Sequence, residues 1–492
     1  MFLKSFKQME KSILINFLFL IFFCYASSST LHAKPGAPTD LQSLGLGKTY
    51  FVAKNGNNNA NGLTPDTAWA TISKVNNSRF SPGDRILFKR GATWKEQLLI
   101  PSSGSASGGS ITFGAYGTGN KPVIDGTGVN LSRNHGLIRG SGKNYIIIEN
   151  IRVQNSGINK GNENSGIGFY GGSYITVSNC EVYKTESAGI KMNANSNIRV
   201  LHNDVSMTNC NSASEQISLA NVNGFEVAYN DSYKNCNPSH NPPGGAGIDS
   251  KQGSKNGTIH HNNVWGITGG SNGIYVDAYN VDTYNIQVYS NYVRDIGAGG
   301  ISIGAEQGGA LHNVTVRHNI VKNAKRGGIV FHNGGPTGAS VYDIFVYNNT
   351  LYRNGTSGTN WYGGVRIFDQ LIKSITFKNN ILSSAYNFQI GVDKNVSPSV
   401  VTLSHNVIYG VTGGSGTFAD LKGTNTISKN PLFNSPDSND FQLQAGSPAK
   451  DACNNSVWQG VPNIEDYNGV PITDSSGVIV APGGRVNCGA YE

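Results

Sequence analysis

Asp249, Lys251, Asp277, Glu306 and His332 are residue types that could do proton chemistry if the fold gathered them. Two carboxyl groups in one place can divide the roles of acid and base when their surroundings pull their proton affinities apart. A lysine beside them is either a base or a fixed cation, because a neighbouring carboxylate holds an ammonium protonated. The same carboxylates are hard oxygen ligands of the kind calcium prefers. None of the five sits beside another in a contiguous motif, so only a particular fold could turn them into a site.

A repeat supplies that fold. An alternating apolar tripeptide, then an asparagine, then another apolar pair recurs ten times along the chain, placing Asn150, Asn179, Asn203, Asn230, Asn262, Asn291, Asn319, Asn349, Asn380 and Asn406 at intervals of 24 to 32 residues. Within the period a second strand opens on a Gly-apolar step, at Gly166-Ile167, Gly189-Ile190, Gly247-Ile248, Gly273-Ile274, Gly300-Ile301, Gly328-Ile329 and Gly364-Val365. Short strands of period two cannot bury their apolar face alone and must stack on the next coil. The predicted fold is all-β, a parallel β-helix of about ten to twelve coils. An asparagine at each bend would tolerate left-handed backbone and bond its counterparts above and below in a ladder.

Alternation then assigns faces, because every second residue after the inward apolar one points out. The outward positions carry Lys191, then Asp249 and Lys251, then Tyr275, Asp277 and Tyr279, then Glu306, His332 and Arg366. Asp249, Lys251, Asp277, Glu306 and His332 thus share one outer face over four successive coils, and this places Lys251 over Asp277. Insertions at 237–245 and 354–363, the second carrying Trp361, leave corners where they could wall that face. Tyr275, Tyr279 and Trp361 are candidate stacking platforms. The bland alternative is a solvated wall on which Lys251 and Asp277 form an ordinary surface ion pair worth under about 1 kcal/mol. His260 and His261, beside the asparagine ladder, read as packing or turn residues.

Composition narrows the class. Sixty-three glycines and only 14% charged residues fit many short strands and tight turns. Residues 1–33 read as a signal peptide: Lys4, Lys7 and Lys11 precede an apolar stretch from Ile13 to Ala26, and Leu31-His32-Ala33 ends it with a cleavable pattern. Beyond it no apolar run reaches the ~18 residues of a membrane span. Removing three lysines and one glutamate with the leader takes the net charge from +8 to +6, which points toward an acidic polymer, whereas no block of Lys or Arg points to nucleic acid. In an oxidising compartment Cys210 could pair with Cys236 and Cys453 with Cys488, leaving Cys180 over, the alternative being five buried thiols.

Further motifs carry a resemblance. Tyr50 to Gly56, Thr64-Pro65, Ala68 to Ile72 and Phe88 to Trp94 resemble the N-terminal cap of secreted right-handed parallel β-helix proteins of the pectin-lyase-like superfamily. Ala445 to Ala449 and Cys488 to Glu492 resemble their closing segment. A short helix around Ala68 to Val75 would plug the open end of the core. The expected divisions are the leader 1–33, a lead-in and cap 34–110, the coils 111–412 and a closing segment 413–492. The resemblance implies an exported, extracellular or periplasmic carbohydrate-active protein, monomeric and facing a polysaccharide.

Two chemistries fit the face. Glycoside hydrolysis would use Asp277 and Glu306, set roughly 8 Å apart by strand spacing and a two-residue offset. It would require no cofactor. β-Elimination of a uronate, or a related epimerisation, would take Lys251 as base, with calcium held by Asp249, Asp277 and Glu306. His332, Arg366, Lys191 and the aromatic residues would then bind substrate. Polygalacturonase and alginate-epimerase signature motifs are absent, so no catalytic residue is carried over from a family. A non-catalytic glycan-binding or adhesin-like solenoid is the third reading.

Overall fold

Each coil spends its residues on three short strands. Ile248–Lys251, Lys255–His260 and Asn263–Trp265 are one such set, and the next coil repeats it with Ile274–Asp277, Thr283–Tyr289 and Tyr292–Ile296. Stacking these sets gives three parallel sheets, of thirteen, twelve and twelve strands among the described residues. This computed structural model describes residues 47–157, 162–210, 214–236, 245–333, 339–356, 360–368, 372–411, 419–454, 468 and 485–490. The chain is a parallel β-helix, as the repeat predicts. Among the described residues the only antiparallel partner in the three large sheets is Ala419–Asp420, which pairs with Ile390–Val392 at the end of one of them.

Like stacks on like, and this makes the core. Ile248, Ile274, Ile301, Ile329 and Val365 succeed one another across one sheet, and Ile259, Val288, Val316, Val346 and Phe377 across another. All are fully buried. Each such side chain contributes about 1.5–3 kcal/mol by leaving water, and no single coil could collect that alone. The helix Ile72–Asn76 adds Ile72 and Val75 to the same core and is N-capped by the Thr71 side chain, which accepts from the Lys74 amide.

The asparagine ladder forms, with one correction. From Asn203 to Asn406 each Nδ2 donates to the Oδ1 of the next asparagine at 2.9–3.0 Å. Asn150 and Asn179 are out of step by one residue. Cys180 takes the rung position after them, its amide donating to Asn203 Oδ1 at 3.0 Å. The left-handed backbone belongs to the preceding residue, with φ near 50–60° at His202, Tyr229, His261, Ser290, His318, Asn348, Asn379 and His405, and also at Asn150 and Asn179. The bend thus separates two jobs that the sequence pattern assigned to one residue.

Disulfides join Cys210 to Cys236 and Cys453 to Cys488, while Cys180 is free and buried. No helix among the described residues is long and apolar enough to cross a membrane. The leader 1–33 lies outside the described residues, as do positions 237–244 of the Pro-rich insertion and 357–359 of the second.

Candidate active site

The site is built on the sheet containing Ile217–Ala220, Ile248–Lys251, Ile274–Asp277, Gly299–Ala305, Gly327–Asn333 and Gly363–Ile367. Register sets two outward columns. One runs Lys191, Ser218, Asp249, Tyr275, Ser302, Val330, Arg366. The other carries Ala220 beside Lys251, then Asp277, Gly304 and His332 in successive partnership. Asp249, Lys251, Tyr275, Asp277, Tyr279 and Glu306 line one cavity of about 620 Å³, together with Glu163, Glu215, Gly245, Ala246, Gln252 and the stretch Gly270–Asn272.

The carboxylates are not on open solvent. Asp249 and Asp277 are each only 2% exposed, so of the outward pair Asp277 and Glu306 the first is buried rather than exposed. They point away from the β-helix core, yet flanking residues of neighbouring coils, Glu215, Gly245 and Gly270–Asn272 among them, close over the face.

Lys251 is the second correction. Its ammonium does not pair with Asp277 as stacking predicted; it donates to Glu215 Oε1 and lies 3.3 Å from Asp249 Oδ2. Glu215 also accepts from Ser218 Oγ at 2.7 Å. Burial opposes the charge on both partners. The opposed charges outweigh it, so the lysine is held above its usual range and the Glu215 carboxyl below its own. Glu215 escaped the sequence reading because its coil opens on Gln216-Ile217 and lacks the Gly-apolar step; the acidic residue just before an apolar strand start was the available signal.

Asp277 and Glu306 occupy unlike settings. Burial first, then the charges of Asp249 and Glu306, push the Asp277 carboxyl up to about 9. The Glu306 amide donates to that carboxyl. The Glu306 side chain is partly exposed and accepts from Tyr275 Oη at 2.7 Å. Tyr275 reaches it across Gly304, where an added Cβ would lie 3.0 Å from Oη and 2.7 Å from the His332 carbonyl oxygen. Burial likewise lifts Asp249 to about 8, Lys251 offsetting part of the effect and Glu215 adding to it.

Tyr275 is not an open platform: it is 8% exposed, and its ring packs 5.2 Å from that of His332. Burial pushes the His332 imidazole down to about 4. His332 therefore braces Tyr275 from the next coils but does not line the cavity. Arg366 stands three strands beyond Tyr275, with its guanidinium 3.9 Å over Phe368 and 5.8 Å from Trp361 and Tyr362. Trp361 belongs to that cluster. Lys191 sits two strands before Asp249 and does not line the cavity. Tyr279 lines it and is half-buried.

Calcium was the one cofactor in view. The carboxylate oxygens suit it chemically, and Asp249 Oδ1 and Asp277 Oδ1 are buried without hydrogen-bond partners among the described residues. Among the described residues, however, no three His, Cys, Asp or Glu side chains converge as a metal site. Lys251 is already engaged by Glu215 and Asp249. The described residues as arranged do not form a calcium cage.

No protein family and no curated protein matches the chain. Solved structures do. The pectate lyase Pel9A superposes with a TM-score of 0.51 at 15% identity, covering 91% of this chain and 96% of that one. The mannuronan C-5 epimerase AlgE4 A-module of Azotobacter vinelandii (13% identity, 70% and 91% coverage, TM-score 0.44) and an endo-xylogalacturonan hydrolase of Aspergillus tubingensis (12%, 77% and 99%, 0.43) are more distant in shape. The likeness to Pel9A shows the fold alone, a right-handed parallel β-helix.

Proposed function

We propose that the protein is an exported carbohydrate-active enzyme that hydrolyses glycosidic bonds of a polysaccharide in the cavity over Ile248–Lys251, Ile274–Asp277 and Gly299–Ala305. The observation that carries this reading is the contrast between the two carboxyl groups. Asp277, buried and retaining its proton through neutral pH, protonates the departing glycosidic oxygen. Glu306, partly exposed and held by Tyr275, takes a proton from the attacking water or attacks the anomeric carbon itself. The carbon–oxygen bond breaks and the aglycone leaves with the Asp277 proton. Where water attacks directly, its hydroxyl joins the anomeric carbon and its proton goes to Glu306 and returns to Asp277 through solvent; where Glu306 attacks, water then cleaves the glycosyl ester and gives its proton to Asp277.

Lys251 serves here as a fixed cation. Its proton is held by Glu215 and Asp249, the opposite of what a lysine base requires. The fold shared with a pectate lyase supports a polysaccharide as substrate class, and two disulfides support export.

The test is product analysis on a polysaccharide panel, with and without chelator. Hydrolysis releases reducing ends with no ultraviolet-absorbing double bond, and Glu306→Gln lowers the rate by about 10²–10⁴-fold. Unsaturated products, lost with chelator and abolished by Lys251→Ala, would replace this reading with calcium-assisted elimination.

A further inference from the structure

We infer that the sugar unit bound in this cavity carries no carboxylate, so that the substrate is an uncharged saccharide. The inference rests on the reading of the cavity as a saccharide site and specifies its substrate class. The whole-chain charge of +8 points the other way, so the argument is local.

Four carboxyl groups, those of Glu215, Asp249, Asp277 and Glu306, line the cavity with a single ammonium, that of Lys251. That ammonium is already matched, donating to Glu215 and lying 3.3 Å from Asp249. The remaining lining acid, Glu163, has its own partner in Arg133 at 3.4 Å. Among the described lining residues no cation is left over for a substrate carboxylate. Arg366, the residue expected to serve that purpose, is three strands from Tyr275, about 14 Å along the axis, and lies over Phe368.

A second observation points to the ligand. Asp249 Oδ1 and Asp277 Oδ1 are buried, belong to residues only 2% exposed, and have no hydrogen-bond partner among the described residues. Buried polar atoms are rarely left unpaired. Sugar hydroxyls supply both donors and acceptors, so they satisfy these oxygens whether or not a given aspartate holds its proton. A uronate would instead bring an anion out of water into a cavity whose one ammonium is already matched, and a site that offers it no counter-charge among the described lining residues discriminates against it.

The experiment measures binding separately from cleavage. Glu306→Gln protein is titrated calorimetrically with neutral hexasaccharides (xylan-, galactan-, arabinan- and glucan-derived) and with oligogalacturonates and oligomannuronates of equal length. Wild-type protein is assayed on the parent polymers for reducing ends. At least one neutral series should bind roughly 10-fold or more tightly than every uronate. Glu215→Gln, which frees the Lys251 ammonium, should narrow that gap by raising uronate affinity. Uronates bound more tightly than every neutral series would overturn the inference, as would an amino-sugar oligomer outcompeting them all. Neutral oligosaccharides that bind but are not cut would leave it standing while removing the hydrolase; uronates cut to saturated reducing ends would do the reverse.

Discussion

Replacing Asp277 by asparagine should stabilise the fold while abolishing turnover. The carboxyl has an ordinary value of 3.8 and is held near 9 in the folded chain by burial, with Asp249 and Glu306 adding to it. At neutral pH the unfolded chain leaves it ionised and the folded chain protonates it, so folding costs about 4 kcal/mol there relative to a side chain with no proton to lose. Asparagine has nearly the same shape and lacks that cost. A raised acid contributes stability that is complete below its unfolded value and is lost as pH climbs through the folded one. The variant's advantage should therefore be near zero below about pH 4, grow by about 1.4 kcal/mol per pH unit, and level off above about pH 9. Urea unfolding of both proteins at about pH 5, 7 and 9 reads the margin directly. A margin that does not change with pH would mean that Asp277 is ionised in the folded protein, and the assignment of the acid would fall with it. In parallel the variant should lose about 10²–10⁴-fold in kcat/KM.

Three more outcomes follow from the same geometry. Tyr275→Phe keeps the ring against His332 but removes the 2.7 Å hydrogen bond to Glu306; losing a bond to a charged group is worth about 1.5–3 kcal/mol, hence roughly 10–100-fold in kcat/KM, and unchanged kinetics would detach Tyr275 from catalysis. Asn291→Leu deletes donations to Asn319 Oδ1, the Ile259 carbonyl and the Tyr289 carbonyl and removes the acceptor of the Asn262 backbone and side-chain amides, leaving the backbone N–H without it; a loss of about 3 kcal/mol or more in chemical unfolding is expected, and a shift under about 1 kcal/mol would show that the ladder is not a stabilising network. The double variant Cys210→Ala and Cys236→Ala opens a cross-link between positions 26 residues apart and should cost about 3 kcal/mol in chemical unfolding; unchanged stability would show that the bridge does not constrain the unfolded chain.

Legibility differed sharply between wall and roof. The coil period, the inward isoleucines and valines, most of the asparagine ladder and the gathering of Asp249, Lys251, Asp277 and Glu306 around one cavity all follow from a pattern that repeats about every 28 residues. Stacking forces that outcome: once each rung must lie on the previous one at fixed spacing, distant residues at equal offsets become neighbours. Cysteine placement left both bridges open beside the alternative of five buried thiols, and the structure forms both. The step of one residue at Asn150 and Asn179 escaped because the residue type matched while the rung position, filled by Cys180 in the later coil, did not.

The environment of each group was decided elsewhere. Alternation marks Asp277 as pointing away from the core, and only the flanking residues from other coils bury it. Glu215 reaches Lys251 from a coil that breaks the Gly-apolar pattern, and Tyr275 crosses Gly304 to reach Glu306. A periodic sequence encodes where backbone goes because every coil obeys the same spacing. Proton affinity depends on which side chains lean over a group and how much water they exclude, and those contacts come from the parts of each coil that do not repeat.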